Sequence, residues 1–326
     1  MRIAILDDYQ DCVRGLACFD RLAGHDVLVL HEALTDPDAL SARLGGVEAL
    51  VLIRERTRIT AALLDKLPAL RLISQTGRHG PHIDMAACTE RGVAVAIGGG
   101  SPYAPAELTW ALVLAAMRGV AHESAELRAG RWQTMLGRTV RGKTLGVLGY
   151  GNIGKLVAGY GKAFGMKLLT FGREGTRARA AADGVECTST RRELFERSEV
   201  LSVHLRLLPE TRGLIDRGDL AAMPAESLFV NTSRAELVEP GALVAALDAG
   251  RPGMAAVDVL ESEPTLDHPL IHHPRALVTP HLGYVERDSY ELYLGTAFDN
   301  VLAFARGESV NLANPEVRAA RPSAAG

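Results

Sequence analysis

The chain has 326 residues, of which 47% are hydrophobic and 23% charged, and its formal net charge is −3. That length suits two ordinary domains with ample core, and the balanced charge offers neither the basic excess of a nucleic-acid partner nor a polybasic run for a membrane surface. No apolar run reaches the roughly 18 residues that a membrane-spanning helix needs.

The first apolar run, Ile3–Leu6, stops at Asp7 and Asp8, too soon for a signal-peptide core. It reads as a strand. Asp26–Leu30, Ala49–Ile53, Leu70–Gln75 and Val93–Ile97 read the same way, each apolar or β-branched and bounded by turn or charged residues. Helical patterns fall between them at Asp36–Leu44, where Thr35-Asp36-Pro37 supplies a cap and an early proline, and at Thr60–Lys66. Strand–helix alternation predicts a parallel sheet covered on both faces. Gly98-Gly99-Gly100-Ser101-Pro102 breaks the pattern and is the candidate hinge. Helices at about Pro105–Arg118 and His122–Ala129 follow.

A second alternating series starts at Lys143. Its strands are expected at Thr144–Leu148, Lys167–Phe171, Val200–His204, Leu228–Asn231, Met254–Val259 and Ala276–Thr279. Helices are expected at Gly154–Phe164, Arg191–Arg197, Arg217–Ala222 and Pro240–Leu247. A last helix, about Glu286–Arg306, precedes a tail whose end, Ala319–Gly326, has a composition that suggests disorder. Cys12, Cys18, Cys88 and Cys187 lack CxxC spacing. They read as small apolar side chains in a reducing cytoplasm, with no metal site and no disulfide framework.

The strongest local signal is Gly149-Tyr150-Gly151-Asn152-Ile153-Gly154, set between a strand and a helix. The first glycine makes a tight turn, the second lets a pyrophosphate approach the backbone, and the third lets helix pack on strand. The helix N-terminus adds unpaired N–H groups and partial positive charge. Dinucleotide binding is the expected use. An acid at the end of the next strand would take the adenosine ribose hydroxyls, but here the strand ends in Gly172-Arg173-Glu174. A glycine and a guanidinium leave room and charge for a 2′-phosphate, which favours NADP over NAD. Glu174 is the acid that could reach a ribose instead.

Three further strand ends present Asn231-Thr232-Ser233-Arg234, Asp258-Val259-Leu260-Glu261-Ser262-Glu263-Pro264 and Thr279-Pro280-His281-Leu282-Gly283. In an open α/β sheet, ligands bind at the carboxyl ends of strands. Hydride transfer to a 2-keto acid calls for these residue types: a guanidinium to grip a carboxylate, a histidine to move a proton at the carbinol oxygen, and a carboxylate to orient that histidine. His268, His272 and His273 read as solvated or structural.

In order and spacing these segments resemble the D-isomer-specific 2-hydroxyacid dehydrogenase family over nearly the whole chain, Met1 to about Pro315. The resemblance implies an α/β fold of two Rossmann-like doubly wound domains, with a nucleotide domain inserted into a flavodoxin-like substrate domain. Residues 1–100 would be the first part of the substrate domain and 101–285 the NAD(P)-binding domain; residues 286–326 would return to the first domain and end in the polar tail. It implies an NAD(P)-dependent 2-ketoacid reductase with Arg234 on the substrate carboxylate and close to the nicotinamide, His281 as acid/base and Glu263, rather than Glu261, as its partner. Cofactor residues would be Gly149, Gly151, Asn152, Ile153, Gly154, Gly172, Arg173, His204, Leu205, Thr211, Thr232, Ser233, Asp258 and Gly283. Asp258 would lie near the nicotinamide carboxamide. The backbone of Arg78 and His79 would join Arg234 and His281 in binding the substrate, a small 2-keto or 2-hydroxy acid. A homodimer through the helices between Ala106 and Leu127 is implied, with no nucleic-acid or membrane partner. The other reading is a catalytically weak, dinucleotide-sensing binding protein on the same fold.

The sequence departs from the family pattern at four points. Ala235 replaces the glycine after the arginine. The loop Thr76–His82, with an arginine and two histidines, suggests an unusual or larger anionic substrate. Arg206 stands where proline is usual, and Gly172 where aspartate is usual.

Overall fold

The computed structural model describes residues 1–78, 80–308 and 311–318. The substrate-loop residue His79 and the tail 319–326 therefore lie outside the described residues. The chain divides into two compact units, one made of Met1–Ser101 with Glu286–Gly326 and the other of Pro102–Val285.

The first unit holds five parallel strands: β1 (Arg2–Leu6), β2 (Asp26–Val29), β3 (Ala49–Leu52), β4 (Leu72–Gln75) and β5 (Ala94–Ile97), in the spatial order β2-β1-β3-β4-β5. This is the flavodoxin-like order, which changes direction between β1 and β3. β3 and β4 are buried along their whole length, as strands covered on both faces must be. Their near-continuous apolar sequence follows from that. The long helix Arg287–Ala305 belongs to this unit and starts where the Glu286 carboxylate accepts from the N–H groups of Asp288 and Ser289.

The second unit holds β6 (Thr144–Leu148), β7 (Lys167–Phe171), β8 (Glu186–Cys187), β9 (Val200–Val203), β10 (Leu228–Asn231), β11 (Met254–Val257) and β12 (Ala276–Val278). All pair in parallel, in the order β12-β11-β10-β9-β6-β7-β8. Numbered within the unit this is the Rossmann order, reversing between β6 and β9. The period of two splits the longer strands between two cores. Leu228 and Val230 pack with Trp110 and Val113, whereas Phe229 packs with Leu201 and Leu243.

Most element ends fall within two residues of expectation. The helix Glu174–Ala182 was not expected, and it matters for the cofactor. Its apolar residues are all alanines, Gly175 lies in its first turn, and Ala180 is its single buried residue, so it carries no strong apolar stripe. The short helix Met85–Glu90, capped by Asp84, was missed for its brevity. No helix among the described residues is long and apolar enough to cross a membrane.

Candidate active site

At the end of β6 the chain turns through Gly149, whose φ is +105°. A Cβ on Gly149 would lie 2.6 Å from the backbone carbonyl of His204, where the chain leaving β9 runs alongside. A Cβ on Gly154 would overlap the Gly149 carbonyl oxygen, whereas one on Gly151 would meet nothing within 4 Å. Two glycines thus serve packing, and the middle one keeps an open approach to the backbone. The helix Asn152–Ala163 starts there with Gly151 at its N-cap and no capping side chain. An open face over uncapped N–H groups fits the pyrophosphate of a dinucleotide.

Other expected cofactor residues are partly spoken for. His204 is half-buried, its ring Nε2 lies 2.8 Å from Ser202 Oγ, and desolvation of the ring pushes its pKa down to about 3. The Thr211 hydroxyl donates to Arg206 O (2.7 Å) and accepts from Leu208 N (2.8 Å), so it ties its own loop. Ser233 Oγ donates to Val203 O, and Thr232 Oγ1 shares a hydrogen bond with Thr109 Oγ1. Past β7, a Cβ on Gly172 would come within 2.6–2.8 Å of the Thr176 side chain, so this glycine also has a packing reason. Arg173 is exposed at the N-cap of the unexpected helix, and Arg177 and Arg179 lie in it. Arg179 Nε donates to the Tyr150 carbonyl in the glycine turn, at 3.4 Å.

The other edge residues come from β10, β11 and the end of β12. Asn231 brackets the next turn: its Oδ1 accepts from Ser233 N (3.0 Å) and its Nδ2 donates to Arg234 O (2.9 Å). Arg234, half-buried, donates from Nη1 to Ser233 O. Asp258 is fully buried, and its carboxylate accepts from Thr279 Oγ1 (2.6 Å), Leu282 N (2.7 Å) and Gly283 N (2.8 Å). Burial raises its pKa against the pull of those donors and of His281. The loop so gripped carries His281 at φ +54°, a left-handed conformation rare for a residue with a side chain. His281 Nδ1 is 2.5 Å from Glu263 Oε2, and its ring meets Tyr284 edge to face at 5.4 Å. Glu261 instead pairs with His268 at 2.7 Å, while His268 Nδ1 accepts from Leu270 N at the start of a short helix. The geometry thus separates the two glutamates and gives His268 a structural task. Asn231 and Thr279 were not expected as site residues; for Asn231 the available signal was a polar residue ending a buried strand.

In the first unit, Arg78 is exposed, but His82 is buried with its Nε2 3.2 Å from Gln75 Oε1. One of the two histidines that suggested a larger anionic substrate is therefore a core residue. Gly77 has φ +80°, and a Cβ there would overlap the Arg54 guanidinium. Arg54, unremarked in the sequence, packs against this loop.

A seven-stranded Rossmann sheet with an open glycine turn and a histidine–carboxylate pair on one edge defines an oxidoreductase that works with a nicotinamide dinucleotide. A family model described as D-isomer specific 2-hydroxyacid dehydrogenase, NAD binding domain, matches residues 110–283. The chain belongs to that family and is an oxidoreductase acting on the CH–OH group of 2-hydroxy acids. It is 39% identical over 272 residues to a glyoxylate reductase from Aeropyrum pernix, covering 80% of this chain and 81% of that one. A crystal structure from Ralstonia solanacearum, provisionally described as a D-3-phosphoglycerate dehydrogenase oxidoreductase, superposes with a TM-score of 0.95 at 53% identity, over 97% of each chain. A D-3-phosphoglycerate dehydrogenase from Methanocaldococcus jannaschii is 33% identical over 79% of this chain, which spans 50% of that relative's length.

Proposed function

We propose that this protein is a D-2-hydroxyacid dehydrogenase working as a 2-ketoacid reductase, with Arg234, Glu263 and His281 as its catalytic set. The supporting observation is the 2.5 Å contact between His281 Nδ1 and Glu263. A carboxylate on Nδ1 holds that proton in place, so the second ring nitrogen, Nε2, carries the proton that moves. The nicotinamide, when bound, supplies or takes the hydride. His281 gives its Nε2 proton to the carbonyl oxygen on reduction and takes it back on oxidation, while Glu263 stabilises the imidazolium between those steps. Arg234 grips the carboxylate with two parallel N–H donors and fixes which face of the keto group is presented. His281→Ala should lower kcat by about two to four orders of magnitude with NAD(P)H affinity within twofold of wild type; turnover near wild type would sink the mechanism.

NADP is the favoured cofactor in this proposal, supported by the absence of an acid at Gly172 and by the exposed Arg173. The substrate is a small 2-keto acid, and Arg78 and His79 are assigned to its recognition by the family resemblance. A homodimer through the helices between Ala106 and Leu127, and a cytoplasmic location suited to four free cysteines, complete the reading.

A further inference from the structure

The segment after β9 contains a cation that the proposed reaction does not use. The chain leaves β9 with the His204 backbone against Gly149, and Arg206 follows two residues later, exposed. Its loop is knotted rather than loose. Thr211 Oγ1 bonds to Arg206 O and Leu208 N, and the N–H groups of Thr211 and Arg212 both donate to Leu208 O at 3.0 Å. Arg206 makes no ion pair among the described residues, although the same loop holds Glu210.

Strand order gives this position its meaning. β6 lies between β9 and β7, so the glycine turn has Arg206 at the strand end on one side and Arg173 at the strand end on the other. We infer that Arg206 is a cofactor-binding residue whose guanidinium takes the 5′-phosphates of the adenosine half of the dinucleotide, opposite the uncapped N–H groups of the helix Asn152–Ala163. Its share of the work is separable from that of Arg173. Arg206 lies on the β9 side, where the backbone touches Gly149, and serves phosphates that NAD and NADP have in common. Arg173, on the β7 side, serves only the 2′-phosphate. A proline at position 206, as the family pattern leads one to expect, would offer neither charge nor donor. The inference rests on the glycine turn being the dinucleotide site and not on the choice between NAD and NADP.

The test is calorimetric titration of the full-length protein with adenosine, 5′-ADP and 2′,5′-ADP, using wild type, Arg206→Ala, Arg206→Lys and Arg173→Ala. Charge-assisted hydrogen bonds to phosphate predict that Arg206→Ala weakens 5′-ADP and 2′,5′-ADP about tenfold or more and leaves adenosine within twofold. Arg206→Lys should recover part of the loss, since it keeps the charge without the fork. Unchanged 5′-ADP affinity in Arg206→Ala, with the melting temperature also unchanged, overturns the inference. An equal loss for adenosine overturns it too, because the side chain would then act on the base. Arg173→Ala should weaken 2′,5′-ADP alone; if it does nothing, the NADP preference falls while the role of Arg206 stands.

Discussion

Gly149 and His204 constrain each other. The glycine is needed both for its positive φ and because the His204 carbonyl leaves no space for a Cβ. Gly149→Ala therefore adds backbone strain of about 1–3 kcal/mol and must also push β9's exit away from the turn. It should lower the melting temperature and weaken NAD(P)H together, whereas Gly151→Ala, with open space around it, should weaken NAD(P)H at nearly unchanged melting temperature. A Gly149→Ala protein with wild-type stability would refute this division of labour. His204 carries a separate consequence. Its folded-state pKa is depressed to about 3 by burial, so below about 6.5 the unfolded chain takes up a proton that the folded one refuses. The stability that the neutral ring provides is complete above that pH and drains away as pH falls from there towards 3. Relative to His204→Asn, wild type should lose about 1.4 kcal/mol per pH unit between pH 6 and 4 in urea unfolding. Parallel pH profiles for the two proteins would mean that the folded state binds the proton after all.

The helix Glu174–Ala182 decides how the cofactor question has to be asked. Gly172 and Arg173 read from the sequence as a loop with room for a 2′-phosphate. The room at Gly172 is in fact bounded by Thr176, in the first turn of that helix. Restoring an acid by Gly172→Asp alone should disturb the helix start, so the informative variants are Gly172→Asp with Thr176→Ala, and Arg173→Ala. Each should lower the kcat/KM ratio for NADPH over NADH about tenfold or more, since each removes or opposes a charge-assisted contact; a ratio unmoved in both would end the case for NADP. What the sequence made legible followed physical strength. β6 and the glycine turn stood out because an apolar strand, three glycines and an amphipathic helix all agree. The Arg234, Glu263 and His281 segments stood out because chemistry-bearing residues recur at strand ends. The helix Glu174–Ala182 was illegible because it buries one alanine, and the bracketing by Asn231 and Asp258 because a side chain that holds the backbone of a distant loop leaves no local pattern. His82 was misread since an imidazole looks the same in a sequence whether it faces solvent or Gln75.

At the scale of the whole molecule, two parallel sheets of different order were legible from two alternating series, and the resemblance supplied the interruption of one by the other. What remains unexplained by either core is a run of apolar surface in the second unit. Val120, Leu127, Trp132 and Leu136 are 57%, 58%, 76% and 94% exposed, and they fall within one stretch that includes the helix Val120–Arg128, of which no residue is buried. A helix with no buried face and a tryptophan mostly in solvent are unstable surroundings for a monomer, since burying each such side chain is worth about 1.5–3 kcal/mol. A second copy of the chain, bringing the same stretch about a twofold axis, would cover them symmetrically. Light scattering after size exclusion should accordingly give about twice the 34.8 kDa chain mass. Trp132→Glu with Leu136→Glu should return the single-chain mass while the helical circular dichroism is kept, because neither residue contributes to a core. A wild-type protein that runs as one chain at high micromolar concentration, or a double variant that stays paired, would place the dimer interface elsewhere or nowhere.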